Sequence, residues 1–66
     1  MKIIVNGKDM AIEKKSSILS FIKNCDYNEN TVVIIKNTKV INKALWDKTL
    51  LNENDKLEVL SFVGGG

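Results

Sequence analysis

Sixty-six residues, with ten lysines, no arginine, eight carboxylates and no histidine, bound this chain to one small domain of formal charge +2. A domain of this size buries only about 60% of the surface its unfolded chain exposes, which leaves no room for an enzyme with a deep pocket. The lysines, scattered from Lys2 to Lys56 with Lys14-Lys15 as the single adjacent pair, make no basic stripe for nucleic acid; Cys25 alone forms no internal disulfide; and no apolar run approaches the ~20 residues of a membrane span.

Met1 to Val5 is rich in β-branched residues, and Met10 and Ile12 alternate with Asp9, Ala11 and Glu13. Asn6-Gly7 lies between the two runs, and that pair favours the positive backbone angles of a type I′ turn, so an antiparallel hairpin is predicted. In it Met1, Ile3 and Val5 face one way and Lys2 and Ile4 the other. Ser17 is a good N-cap, and Ile18, Phe21, Ile22 and Cys25 follow at i, i+3, i+4 and i+7. The spacing predicts a helix from about Ile18 to Cys25 with its apolar stripe on the sheet, ended by Asp26, Asn28 and Asn30. Thr31 to Ile35 is predicted as a third strand, with Asn37-Thr38 turning into a brief strand over Lys39-Val40-Ile41. Asn42 to Asp47, which holds Trp46, is expected to be irregular or a single turn. Leu50-Leu51 is expected to pack inward. Asn54 suits the left-handed region in the turn over 52–55, and the last strand is expected from Lys56 to about Phe62.

One helix across one face of a mixed sheet of four or five strands makes an α+β two-layer domain. The element order resembles the β-grasp, or ubiquitin-like, fold, in which the first and last strands lie side by side and parallel at the centre of the sheet. The domain is expected over residues 1–63, with 64–66 as a flexible glycine tail. A glycine run contributes nothing to a core, and the missing Cβ allows close backbone approach. Gly64-Gly65-Gly66 therefore suits delivery of the terminal carboxylate into another protein's narrow active site. A linker remnant would more commonly be mixed with serine and lead into further sequence.

The opening Met-Lys-Ile-Ile-Val-Asn-Gly, the Ser17-Ile18 helix entry, the Trp46 segment, the Asn54-Asp55 turn and an apolar last strand running into glycines together resemble the sulfur carriers of thiamine biosynthesis, the ThiS type of ubiquitin-like carrier. The resemblance spans the whole chain, and Gly65-Gly66 is its most specific part. Two departures accompany it: Asn54 stands where the family usually has glycine, and Gly64 lengthens the terminal pair to three. The resemblance implies a protein co-substrate rather than an enzyme, with no catalytic residues, no metal ligands and no cofactor of its own. It implies that an E1-like adenylating enzyme, using ATP and Mg, activates the carboxylate of Gly66, that sulfur from a persulfide donor displaces AMP to leave a thiocarboxylate, and that thiazole synthase consumes the sulfur. Adenylation suits the chemistry, because a carboxylate is a poor electrophile and the chain has no His to act as a base near neutral pH. Gly64 and Gly65 would thread the partner's cleft.

Strand alternation suggests the docking surface. If Leu57 and Val59 face the helix with Ile3 and Val5, then Ile4, Leu60 and Phe62 share the uncovered face, next to Val63 and the tail. Cys25, on the apolar helix stripe, reads as core packing rather than as a sulfur donor, and Trp46 as a plug at the core edge rather than a stacking platform. One cysteine is too few for a β-grasp ferredoxin cluster. Charged Lys8 and Asp9 interrupt the apolar N-terminus, so no signal peptide is read, and a free monomer in the cytoplasm is expected. Three further functions stay open: a carrier like the small subunit of molybdopterin synthase, a ubiquitin-like modifier that forms isopeptide bonds, and a plain interaction module.

Overall fold

The computed structural model describes residues 1–62. The elements run β1 (Lys2–Val5), β2 (Lys8–Ala11), α1 (Ile18–Asn24), β3 (Val32–Lys36), β4 (Lys39–Ile41), a 3-10 turn over Lys43–Leu45 and β5 (Lys56–Ser61). Five strands form one sheet in the order β2-β1-β5-β3-β4. β1 and β5 are parallel and the other neighbours antiparallel, the β-grasp arrangement that the element order predicts.

Local chemistry explains most of these elements. Val5 pairs with Lys8, so Asn6-Gly7 is a two-residue loop, with φ of 49° and 83°, as a type I′ turn requires. Asn37-Thr38 repeats the device between Lys36 and Lys39, although Thr38 at φ 74° holds a β-branched side chain where such residues are strained. At the helix start the Ser17 hydroxyl accepts from Ser20 N–H and the Ser20 hydroxyl accepts from Ser17 N–H, both at 3.1 Å. This is a capping box with serine in place of the usual Glu or Gln. The helix ends one residue earlier than its periodicity predicts: Cys25 is the C-cap, and Asp26 turns away at φ 59°.

Ile18, Phe21 and Ile22 of α1 are buried against Ile3 and Val5 of β1, Val32 and Ile34 of β3 and Leu57 and Val59 of β5. Trp46 closes one edge of this core, 2% exposed, with its indole N–H donating to the Ile41 carbonyl at 3.1 Å; it is a structural plug. Asn54 adopts φ 67°, the left-handed region expected for it in this turn. Two expectations need correction. β3 begins at Val32, one residue after Thr31, and extends to Lys36. Leu50 does not pack inward: it is 50% exposed while Leu51 is buried. The cause is an extended segment that bridges Ser17 at Leu50 and donates from Leu51 N–H to the Ser16 carbonyl at 2.8 Å. Successive residues of such a segment point to opposite sides, so one leucine must face water.

Candidate functional site

β5 lies in the middle of the sheet and is the last described element, so whatever fixes β5 sets where the described chain ends. Its last described contact is a hydrogen bond from Phe62 N–H to the Thr31 carbonyl at 3.0 Å. Val63, Gly64, Gly65 and Gly66 lie outside the described residues. At its start β5 is braced by the second turn: Asn37 N–H donates to the Lys56 carbonyl at 2.8 Å, and Asn37 Oδ1 accepts from Lys56 N–H at 2.9 Å. Asp55, the one buried charged side chain among the described residues, joins this brace. Its Oδ1 accepts from Asn37 Nδ2 at 3.0 Å and its Oδ2 from Asn52 N–H at 2.8 Å, with the Lys36 ammonium 3.8 Å away. Both carboxylate oxygens are engaged with the frame, so this carboxylate ties loops together and offers no free base.

Among the described residues, no element covers the face of the sheet opposite α1. Leu60 and Phe62 stand on it, 51% and 52% exposed, as alternation along β5 predicts. Ile4 also points to this face and is half-buried, but the register does not bring it to Leu60. Ile4 pairs with Lys56, four residues earlier on β5, a separation of roughly 13 Å along the strand, and charged Lys56 and Glu58 lie between. The apolar surface extends the other way. Val33 is directly opposite Leu60 and Ile35 opposite Glu58 on β3, and Val40 of β4 pairs with Ile35 and is 67% exposed. The outer face is therefore divided: Val33, Ile35, Val40, Leu60 and Phe62 form an apolar half over β3, β4 and the outgoing end of β5, while Lys2, paired at 3.9 Å with Asp9, and Lys56 mark a polar half over β1, β2 and the start of β5. A shallow recess opens beside Phe62, bordered by Val33, Val40 and Trp46. Exposed apolar clusters of this kind mark partner surfaces.

Among the described residues no group of three or more His, Cys, Asp or Glu is placed to hold a metal ion, and no helix is long and apolar enough to cross a membrane. Cys25 is partly buried against the core. Burial, and secondarily the neighbouring Asp26 carboxylate, push its thiol above the ordinary value, which suppresses the thiolate a sulfur nucleophile needs. Its position is that of a core-edge residue.

Comparison with known proteins places this geometry. The ThiS family model matches residues 3–66. The sulfur carrier protein ThiS of Bacillus subtilis (strain 168) is 32% identical over 63 residues, covering 94% of this chain and 96% of that protein. A thiazole synthase of Paramagnetospirillum magneticum is 24% identical over 66 residues, which is all of this chain but 20% of the synthase, so the chain spans about a fifth of that relative. The crystal structure of the thiamine biosynthesis protein ThiS from Geobacter metallireducens superposes with a TM-score of 0.87 at 25% identity, covering both chains completely.

Proposed function

This chain belongs to the ThiS family, and from that membership we propose that it is a sulfur carrier of thiamine biosynthesis whose working group is the terminal carboxylate of Gly66. In this scheme an E1-like adenylating enzyme, with ATP and Mg, converts the carboxylate to an acyl adenylate and releases pyrophosphate. The terminal sulfur of a persulfide donor then attacks the activated carbonyl carbon and AMP leaves, giving an acyl disulfide; a thiolate attacks the donor-side sulfur of its S–S bond, which leaves the donor in a disulfide and releases the thiocarboxylate for thiazole synthase to consume. The carrier contributes no catalytic side chain: it presents an end and a docking face. One observation carries the reading, a β-grasp domain whose central strand ends beside an uncovered apolar half-face, with three glycines following Phe62 and Val63 in the sequence. The occurrence of a segment like this whole chain within a thiazole synthase polypeptide supports the synthase as a partner, because fusion keeps two proteins that act together at high local concentration. The expected first sign of activation is pyrophosphate release by the adenylating enzyme that depends on this chain. ATP turnover indifferent to its presence would contradict the proposal.

Docking of both the adenylating enzyme and thiazole synthase is proposed at the uncovered face, through Leu60 and Phe62 with Val33 and Val40 beside them and Ile4 at the margin; Val63, also expected to take part, lies outside the described residues. A single face for two partners makes the two complexes mutually exclusive. Leu60→Asp is expected to weaken each association by about 1–3 kcal/mol while the monomer stays folded, the range for truncating or charging an apolar anchor. Ile4→Asp, at the polar side of the face, is expected to do less. Titration calorimetry with each partner measures both effects, and unchanged affinity of the Leu60→Asp chain for both partners would make the patch incidental.

A further inference from the structure

We propose that Asn6 is a positioning residue for the reactive chain end: its side-chain amide replaces the next peptide group of β1 and holds the outgoing half of β5, and with it the line along which the tail leaves. This rests on the carrier reading above, since it concerns how the Gly66 carboxylate is presented.

In a parallel ladder a residue of one strand donates its N–H to the neighbouring strand and accepts, through its own carbonyl, from the residue two further along. Asn6 N–H donates to the Leu57 carbonyl at 2.9 Å, as that pattern requires, and the next bond of a continuing ladder would run from Val59 N–H to the Asn6 carbonyl. At that point β1 has ended, because Asn6 and Gly7 turn the chain at positive φ. The side chain completes the ladder instead: Val59 N–H donates to Asn6 Oδ1 at 2.9 Å, and Asn6 Nδ2 donates to the Val59 carbonyl at 3.4 Å. A carboxamide carries an acceptor and a donor as a peptide group does, so it extends the strand by one unit without extending the chain.

The consequence falls on the end of β5. Backbone pairing with β1 stops at Val5 with Leu57, whereas pairing with β3 continues to Ser61. Asn6 therefore secures β5 at Val59 on the side where the backbone of β1 no longer does, three residues before Phe62. Losing it leaves the outgoing segment held from one side, free to rock about β3. Docking through Leu60 and Val33 would survive, but the carboxylate would arrive less well placed, and a displacement near 1 Å at a reacting group costs on the order of a hundred-fold in rate.

The turn and the clamp are separable. Asn6→Gly keeps a residue suited to positive φ and removes the amide; Asn6→Asp keeps the acceptor for Val59 N–H but sets a carboxylate oxygen against the Val59 carbonyl. The experiment compares the full-length wild-type, Asn6→Gly and Asn6→Asp chains by amide hydrogen exchange and by ATP–pyrophosphate exchange on a purified E1-like adenylating enzyme, titrating the carrier. In Asn6→Gly the Val59 amide is expected to lose protection while α1 and β3 keep theirs, and kcat to fall about ten-fold or more with KM within about two-fold, the split expected of misplacement rather than lost binding. Asn6→Asp is expected to lose kcat in the same sense. Full Val59 protection in Asn6→Gly would overturn the clamp, and unchanged kcat with a deprotected Val59 would overturn its positioning role. If Asn6→Gly loses protection in β3 as well, it is simply unfolding, and the Asn6→Asp chain, which keeps the acceptor for Val59 N–H, decides by kcat: a fall with KM held supports the positioning role, and an unchanged kcat overturns it. A wild-type chain that supports no pyrophosphate exchange would instead refute the carrier reading and the positioning role with it, while Val59 protection would still decide the clamp.

Discussion

Deleting Gly66 is expected to reduce activation by the adenylating enzyme to background while the domain unfolds as cooperatively as the full chain. The contrast follows from where the core ends. Val59 is the last buried residue among those described, and the last described backbone bond is made by Phe62, so removing the final glycine takes away no described packing. It does take away the position from which the carboxylate would be presented, and binding energy from the docked face cannot compensate for a nucleophile held out of reach of ATP. Gly65→Val is expected to block the same step by a different route. A β-branched side chain widens the segment and stiffens it where close backbone approach is needed. Denaturant titration beside an adenylation assay checks both variants: normal adenylation of Gly65→Val would count against threading, and lost cooperativity in the deletion would mean that the tail belongs to the fold.

Phe21→Ala is expected to cost about 3–5 kcal/mol, the range for truncating a buried phenylalanine, against a total of about 5–15 kcal/mol for a typical domain. Phe21 is 2% exposed at the middle of the helix stripe, and its ring lies 6.2 Å from that of Tyr27. One helix, flanked by Trp46 and Leu51, supplies most of the second layer, so a cavity beneath it has few neighbours able to close it. The midpoint of chemical unfolding reads the loss. A shift below about 1 kcal/mol would mean that the helix face bears little of the core, contrary to its burial.

The parts of the fold that were legible in the sequence are those fixed by local chemistry. Asn6-Gly7 announces a hairpin because few residues tolerate its backbone angles, and Ser17 announces a helix start because its hydroxyl caps free amides. Alternation along Leu57 to Phe62 correctly separates the helix-facing residues from Leu60 and Phe62. The candidate site was only half legible, for two physical reasons. Val32-Val33-Ile34-Ile35 is apolar at every position, so nothing in it distinguishes the outward Val33 and Ile35 from the buried Val32 and Ile34; their face follows from pairing with β5. Pairing is also what separates Ile4 from Leu60, since strand parity gives the face of a residue but not its height along a neighbouring strand. The second role of Asn6 was hidden for a related reason: asparagine in a turn accounts for itself locally, and its bonds to Val59 join positions fifty-three residues apart. The sequence signal that could have raised it is the choice of Asn over Gly or Asp at the first turn position, where all three satisfy the backbone.

The central claim is that Gly66 carries sulfur. Its most direct test is the intact mass of the full chain after incubation with ATP, Mg, the adenylating enzyme, a persulfide donor and a thiol reductant. The account predicts a product heavier than the untreated chain by the difference between one sulfur and one oxygen atom, formed only when ATP is present and localised by fragmentation to Gly66. An unchanged mass when the adenylating enzyme is demonstrably active, or a covalent adduct through a lysine of another protein in place of the sulfur exchange, would contradict it.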